Sequence, residues 1–138
     1  MFSEWVEIKR DDVLPQYSGL HITMNQKGYI VMSRVTHEQL GSPAWFRLLY
    51  DEANHRIGLK PVEPSTPHAY PALKSNRTGI MVRAYRLMRE KRLSLPHTMQ
   101  FDDAAIDTDG ILVLDLRTAR PSRRAKARNE RDIGSNHE

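Results

Sequence analysis

Arginine recurs every third residue in RAYRLMREKR, at Arg83, Arg86, Arg89 and Arg92. A guanidinium spreads its charge over a planar fork of donors that grips phosphate oxygens two at a time, so a regular row of them suits a polyanion. A helix turns by about 100° per residue, which gathers Ala84, Leu87 and Met88 into one sector and spreads the four arginines around the opposite side. The row is then either a phosphate grip or the solvated side of a half-buried helix. Lys27 and Arg34 form a second basic neighbourhood, and Arg120, Arg123, Arg124, Lys126 and Arg128 a third near the end of the chain. These residues are the candidates for contact with nucleic acid.

Other chemistry is hard to find. The six histidines (His21, His37, His55, His68, His97 and His137) include no pair four apart and no acid at ligand spacing, so no metal site is read from them. In DDAAIDTDG, Asp102, Asp103, Asp107 and Asp109 lack the alternation and the distant glutamate of a calcium loop, and read as a solvated β-turn. Cysteine is absent, which excludes thiol catalysis, zinc-thiolate centres and redox switching. With no glycine-rich phosphate cradle, serine elbow or acid-base motif, no catalytic residue and no cofactor are expected, and the chain reads as a non-enzyme.

The formal net charge is +4, and its location decides what it means. From Arg117 onward seven Lys or Arg stand against three acids, which is the whole excess, and residues 1–116 carry 14 of each sign. The body is neutral and the end is basic. RTARPSRRAKARNERDIGSNHE has little beyond Ile133 to bury, too little to offset the entropy of ordering it, so residues 117–138 are expected to be a disordered basic tail.

The elements that must position these charges begin at His21. Ile22 and Met24 alternate with polar neighbours, YIVM resumes an apolar run beyond Gly28, and glycine there tolerates the positive φ of a tight reversal. Ser33 is placed to cap a helix over Arg34–Leu40 that Gly41, followed by Ser42 and Pro43, brings to a stop. FRLLYD and RIGLKP flank the polar turn EANH and read as a hairpin, with Phe46, Leu48 and Tyr50 on one face and Ile57 and Leu59 facing alike. Prolines 61, 64 and 67 make the next stretch a semi-rigid connector.

The order of elements then returns. AYPALK, Gly79 with IMV, the arginine helix, HTMQF, an acidic turn and GILVLDL repeat the earlier succession, with Gly79 lying 51 residues beyond Gly28. The chain accordingly divides into a lead segment over 1–20, where FSEWVEIK reads as a strand, a first half over 21–61, a connector over 62–68, a second half over 69–116 and the tail. Trp5 and Trp45 are assigned to core packing.

Lys27, Gly28, Ile30, Leu40, Gly41, Phe46 to Tyr50 and Ile57 to Pro61 together resemble the swapped-hairpin unit of the AbrB-type (SpoVT/AbrB-like) transcription factors and related antitoxins, over about 40 of the 138 residues. In that family two copies exchange hairpins across a dimer to close one barrel-like core. The resemblance implies a mainly β fold with short helices (α+β): a swapped-hairpin, double-psi-like barrel, here built from two pseudo-repeats in one chain, as a monomeric pseudo-dimer or a homodimer. It also implies a small DNA-binding transcriptional regulator or antitoxin-like protein with duplex DNA as partner. Tyr29 stands where DNA-binding members carry an arginine, so contact falls to Lys27, Arg34, the second helix and the tail.

The neutral body leaves a second reading open, a non-enzymatic interaction or adaptor module that holds a protein partner. No apolar run reaches the roughly 18 residues of a membrane span, and a cytoplasmic location without membrane association is expected.

Overall fold

The computed structural model describes residues 20–75 and 79–122. Within them the chain is mainly β with two helices, of the α+β class. In chain order the elements are β1 (Ile22–Met24), β2 (Tyr29–Met32), α1 (Arg34–Gln39), β3 (Trp45–Asp51), β4 (Arg56–Pro61), β5 (Tyr70–Pro71), β6 (Leu73–Lys74), β7 (Ile80–Arg83), α2 (Tyr85–Lys91), β8 (Met99–Gln100), β9 (Ala105–Ile106), β10 (Leu112–Asp115) and β11 (Arg120–Pro121). They form two antiparallel sheets, ordered β11-β8-β1-β2-β7-β6 and β5-β3-β4-β10-β9. Neither sheet closes on itself. The strand read over FSEWVEIK, and Trp5 within it, lie outside the described residues.

Alternation decides which way the first hairpin faces. Ile22, Met24, Ile30 and Met32 are buried, while Thr23 and Val31 between them are half-buried on the other side. The Asn25 carboxamide oxygen closes the turn by accepting from the amides of Lys27 at 3.0 Å and Tyr29 at 2.9 Å. Gly28 sits at φ +88, and a Cβ there would lie 2.8 Å from Met88 Sδ and 3.1 Å from Tyr85 Cα. Its carbonyl accepts from the Ala84 amide at 2.8 Å. Only glycine lets this turn press directly onto the start of α2.

The first helix is capped as the sequence suggests. Ser33 Oγ accepts from the Thr36 amide at 3.1 Å, and Thr36 Oγ1 accepts in turn from the His21 amide at 3.0 Å. Thr36 is wholly buried, so this hydroxyl ties the helix to the residue that leads into β1, at a site where an unmet donor would be costly. Gly41, at φ +91, follows the last turn. Helix α2 has no side-chain cap at Ala84. At seven residues it is too short to stand alone in water, and burial of Ala84, Leu87 and Met88 fixes it to the core.

In the second sheet Ile57 and Leu59 of β4 lie opposite Leu114 and Leu112 of β10, all four without exposure, and Phe46 of β3 is equally buried. Each such side chain contributes about 1.5–3 kcal/mol by leaving water. Trp45 is half-buried beside Phe46. The core thus lies between the sheets and under both helices.

Strands from early and late in the chain mix in both sheets. β2 pairs with β7, β4 with β10, β3 with β5 and β1 with β8. Three expectations change here. Gly79 does not stand where Gly28 stands: Ser75 N–H donates to the Gly79 carbonyl as Asn25 N–H donates to that of Tyr29, so Gly79 takes the place of Tyr29 and has no positive φ. The stretch assigned to one acidic turn holds β9 between two turns, one at Asp102–Asp103 and one over Asp107–Gly110, where Asp107 Oδ1 accepts from the amides of Asp109 and Ile111. Residues 117–122, assigned to the tail, are part of the fold, because Arg120 and Pro121 pair with Gln100 and Met99 of β8 and Ser122 is buried, and residues 123–138 lie outside the described residues. Strand pairing adds to the little burial this segment has, in Ala119 and Ser122.

Candidate nucleic-acid interface

Helix α2 and strands β3 and β5 border an open groove of about 990 Å³. Arg47 and Leu48 come to it from β3, Tyr70 from β5, and His68 from the connector just before. The helix adds Tyr85, Arg86, Leu87, Arg89 and Glu90. Leu48 and Leu87 belong to the core or pack against it, so the groove is built on fixed side chains. His68 has φ +63, a left-handed backbone that a non-glycine residue rarely adopts, and it turns the chain into β5 at the groove margin.

Three arginines against one glutamate give the groove a positive bias. Arg47, Arg86 and Arg89 make no ion pair and no side-chain hydrogen bond among the described residues. Of the six described arginines elsewhere, four have acid partners: Arg34 with Glu38 at 3.1 Å, Arg56 with Asp51 at 2.8 Å, Arg117 with Asp115 at 3.4 Å, and Arg120 with Asp102; Arg83 lies over a tyrosine ring and Arg92 has no acid partner among the described residues. The tyrosines divide in the same way. Arg83 lies over the ring of Tyr29 at 5.8 Å and Lys91 over that of Tyr50 at 5.9 Å, whereas Tyr70 and Tyr85 have no cation or ring partner among the described residues.

The hairpin ends carry the perturbed acids. Side-chain hydrogen bonds from Asn54 and then Arg56 lower the Asp51 carboxyl from 3.8 to about 2. Burial pushes Asp115 up, but hydrogen bonds from the Arg117 amide and side chain outweigh it, and its net shift is downward. Both acids close turns and lie outside the groove lining.

The candidates drawn from sequence are thus divided. Arg86 and Arg89, one helical turn apart, lie in the groove. The expected row of four on one helix face is corrected, because Arg83 ends β7 and Arg92 lies past the last turn with φ +54. Lys27 occupies the β1–β2 turn. Arg34 and Arg120 are engaged by Glu38 and Asp102. Arg123, Arg124, Lys126 and Arg128 lie outside the described residues. Sequence reasoning missed Arg47, His68, Tyr70 and Tyr85. Arg47 had a faint signal, being the one charge inside the apolar run FRLLY; no local spacing joins it to the others.

No group of three or more His, Asp or Glu among the described residues is arranged to hold a metal ion, and no helix among them is long and apolar enough to cross a membrane. Compared with known protein families, characterised proteins and solved structures, the chain matches none.

Proposed function

We propose that the protein binds nucleic acid as a small DNA-binding regulator of the antitoxin-like kind, with the α2 groove as its contact surface. One observation carries this reading: Arg47, Arg86 and Arg89 converge on a single groove without a carboxylate partner among the described residues, while four of the six described arginines elsewhere have one and the other two, Arg83 and Arg92, do not line the groove. Guanidinium groups without an ion-pair partner on a rigid scaffold have donors open to anionic oxygen, and phosphate meets them in bidentate fashion.

On the same reading the two sheets are the walls of one swapped-hairpin barrel, built from two pseudo-repeats in a single chain. Two registers support it. Adding 50 to each number of Thr23↔Val31 and Met24↔Ile30 gives Leu73↔Met81 and Lys74↔Ile80, the pairs of the later hairpin. Adding 55 to Ile57 and Leu59 gives Leu112 and Leu114, and each of the first two is paired with the counterpart of the other. That is how two copies meet across a two-fold axis. The pairing of β3 with β5 and of β8 with β1 is the reciprocal exchange such a unit makes.

The test is a mobility shift on DNA over a salt series, with the full chain, a chain ending at Ser122 and Arg86→Glu/Arg89→Glu. Ending at Ser122 keeps β11, which an end at Leu116 would remove. Binding that survives the truncation and fails in the double variant supports the groove. Binding that is lost on truncation and indifferent to the double variant rejects it in favour of a nonspecific arm.

A further inference from the structure

The groove holds more than charge, and its aromatic content bears on which form of nucleic acid it fits. Tyr85 is 56% exposed, the most exposed of the large hydrophobic side chains among the described residues, and stands in the first turn of α2 beside Arg86. An exposed phenol ring gains nothing from the core. Tyr29 and Tyr50 show what this molecule does with rings it uses internally: each has a cation of the same chain over its face. Tyr70 is half-buried and packs against the core, whereas the face of Tyr85 carries no such partner among the described residues and shares the groove with Arg47, Arg86 and Arg89.

From this arrangement we propose that the groove selects single-stranded nucleic acid, stacking an unpaired base on Tyr85 while Arg47, Arg86 and Arg89 hold the phosphodiester backbone. The inference rests on the nucleic-acid reading of the same groove and narrows it. In a duplex the base faces are covered by their neighbours, so an aromatic side chain finds only edges and backbone. An unpaired strand presents both a π-face and a backbone, and proteins that bind it combine a cationic groove with stacking rings. A concavity of about 990 Å³ admits a splayed base, and duplex recognition by a helix calls for a convex element entering the major groove. Glu90, the one acid of the lining, stands beside Arg89 and limits how much backbone the helix end can hold.

The experiment uses the full chain and fluorescence anisotropy with a labelled DNA single strand of about twelve nucleotides, within the site size of such grooves, its duplex, and an abasic strand of equal charge. Single-strand binding about tenfold tighter than duplex binding, with Tyr85→Ala losing about tenfold on the normal strand, nothing on the abasic one, and Tyr85→Phe restoring the affinity, supports the proposal. Tyr85 is exposed, so its removal leaves the fold intact, and the abasic strand reports on any variant that does not fold. Equal affinity for single strand and duplex, still abolished by Arg86→Glu/Arg89→Glu, overturns the single-strand preference and leaves the nucleic-acid reading in place. No binding of any of the three at low salt overturns both.

Discussion

Arginine is used in two ways at two regions of this molecule. At the hairpin ends Arg56 and Arg117 turn back onto Asp51 and Asp115, acids only a few residues away, and Arg120 meets Asp102 across the adjoining β11–β8 edge. In the groove Arg47, Arg86 and Arg89 face one another across α2 and β3 with no acid engaged. The first group finishes turns: exposed pairs of that kind contribute less than about 1 kcal/mol each and are screened by salt. The second concentrates like charge on one side of a short helix, an arrangement that works against the fold and is consistent with use by a ligand. Engagement by an acid marks the turn-closing arginines, and convergence on one groove marks Arg47, Arg86 and Arg89, with Arg83 and Arg92 in neither group.

Charge reversal gives the widest separation between the two regions. Arg86→Glu/Arg89→Glu is expected to weaken nucleic-acid binding by about 100-fold and to reduce the slope of log affinity against log salt by about 2. Arg56→Glu/Arg117→Glu, an equal change of charge, is expected to alter affinity only a few-fold, and titrations at matched ionic strength compare them. If both double variants lose affinity equally, the groove has no special part.

Gly28 links the scaffold to the site, and Gly41 provides its control. Both have positive φ, but a Cβ at Gly28 runs into Met88 and Tyr85 whereas nothing lies within 4 Å at Gly41. Gly28→Ala is expected to cost about 2–4 kcal/mol from overpacking added to backbone strain, and Gly41→Ala about 1–2 kcal/mol from the backbone alone. Denaturant unfolding measures the gap. Gly28→Ala should also weaken binding in a well-folded fraction, because the displaced residues begin α2.

Thr36→Val removes a buried hydroxyl that both accepts from His21 and bonds Ser33, at nearly constant volume. A loss of about 1–3 kcal/mol in stability with unchanged affinity is expected. The smallest effect lies in acid. Asp51 has its carboxyl lowered from 3.8 to about 2 in the folded chain, so protonation favours the unfolded state. Its contribution is complete above pH 3.8 and fades as the pH falls through about 2. Thermal melts of Asp51→Asn should therefore fall below those of the parent at pH 5 and converge with them near pH 2.

What could be read in the residues follows from how local each signal is. Ser33 and Gly41 bound a helix through contacts within a few positions, and FRLLYD, EANH and RIGLKP form a hairpin for the same reason, so those elements were legible. The arginine helix was legible in its buried side, Ala84, Leu87 and Met88, and less so in its length, which left Arg83 in a strand and Arg92 past the end. Gly79 misled because a glycine was matched to a glycine, whereas backbone pairing matches it to Tyr29. β9 was hidden because Ala105 and Ile106 are too short a run to show alternation against flanking acids. The groove was half legible: Arg86 and Arg89 stand in one helix, but Arg47, His68 and Tyr70 join them only through the pairing of β3 with β5 and the seating of α2, which no short spacing encodes.

The most direct test of the groove is a backbone amide NMR titration of the full chain with a single-stranded oligonucleotide, read residue by residue. The account predicts that the amides to shift first and furthest are those of 47–48, 68–70 and 85–90. Shifts confined to 102, 115–122 and the residues after them, with 85–90 unmoved, would contradict it.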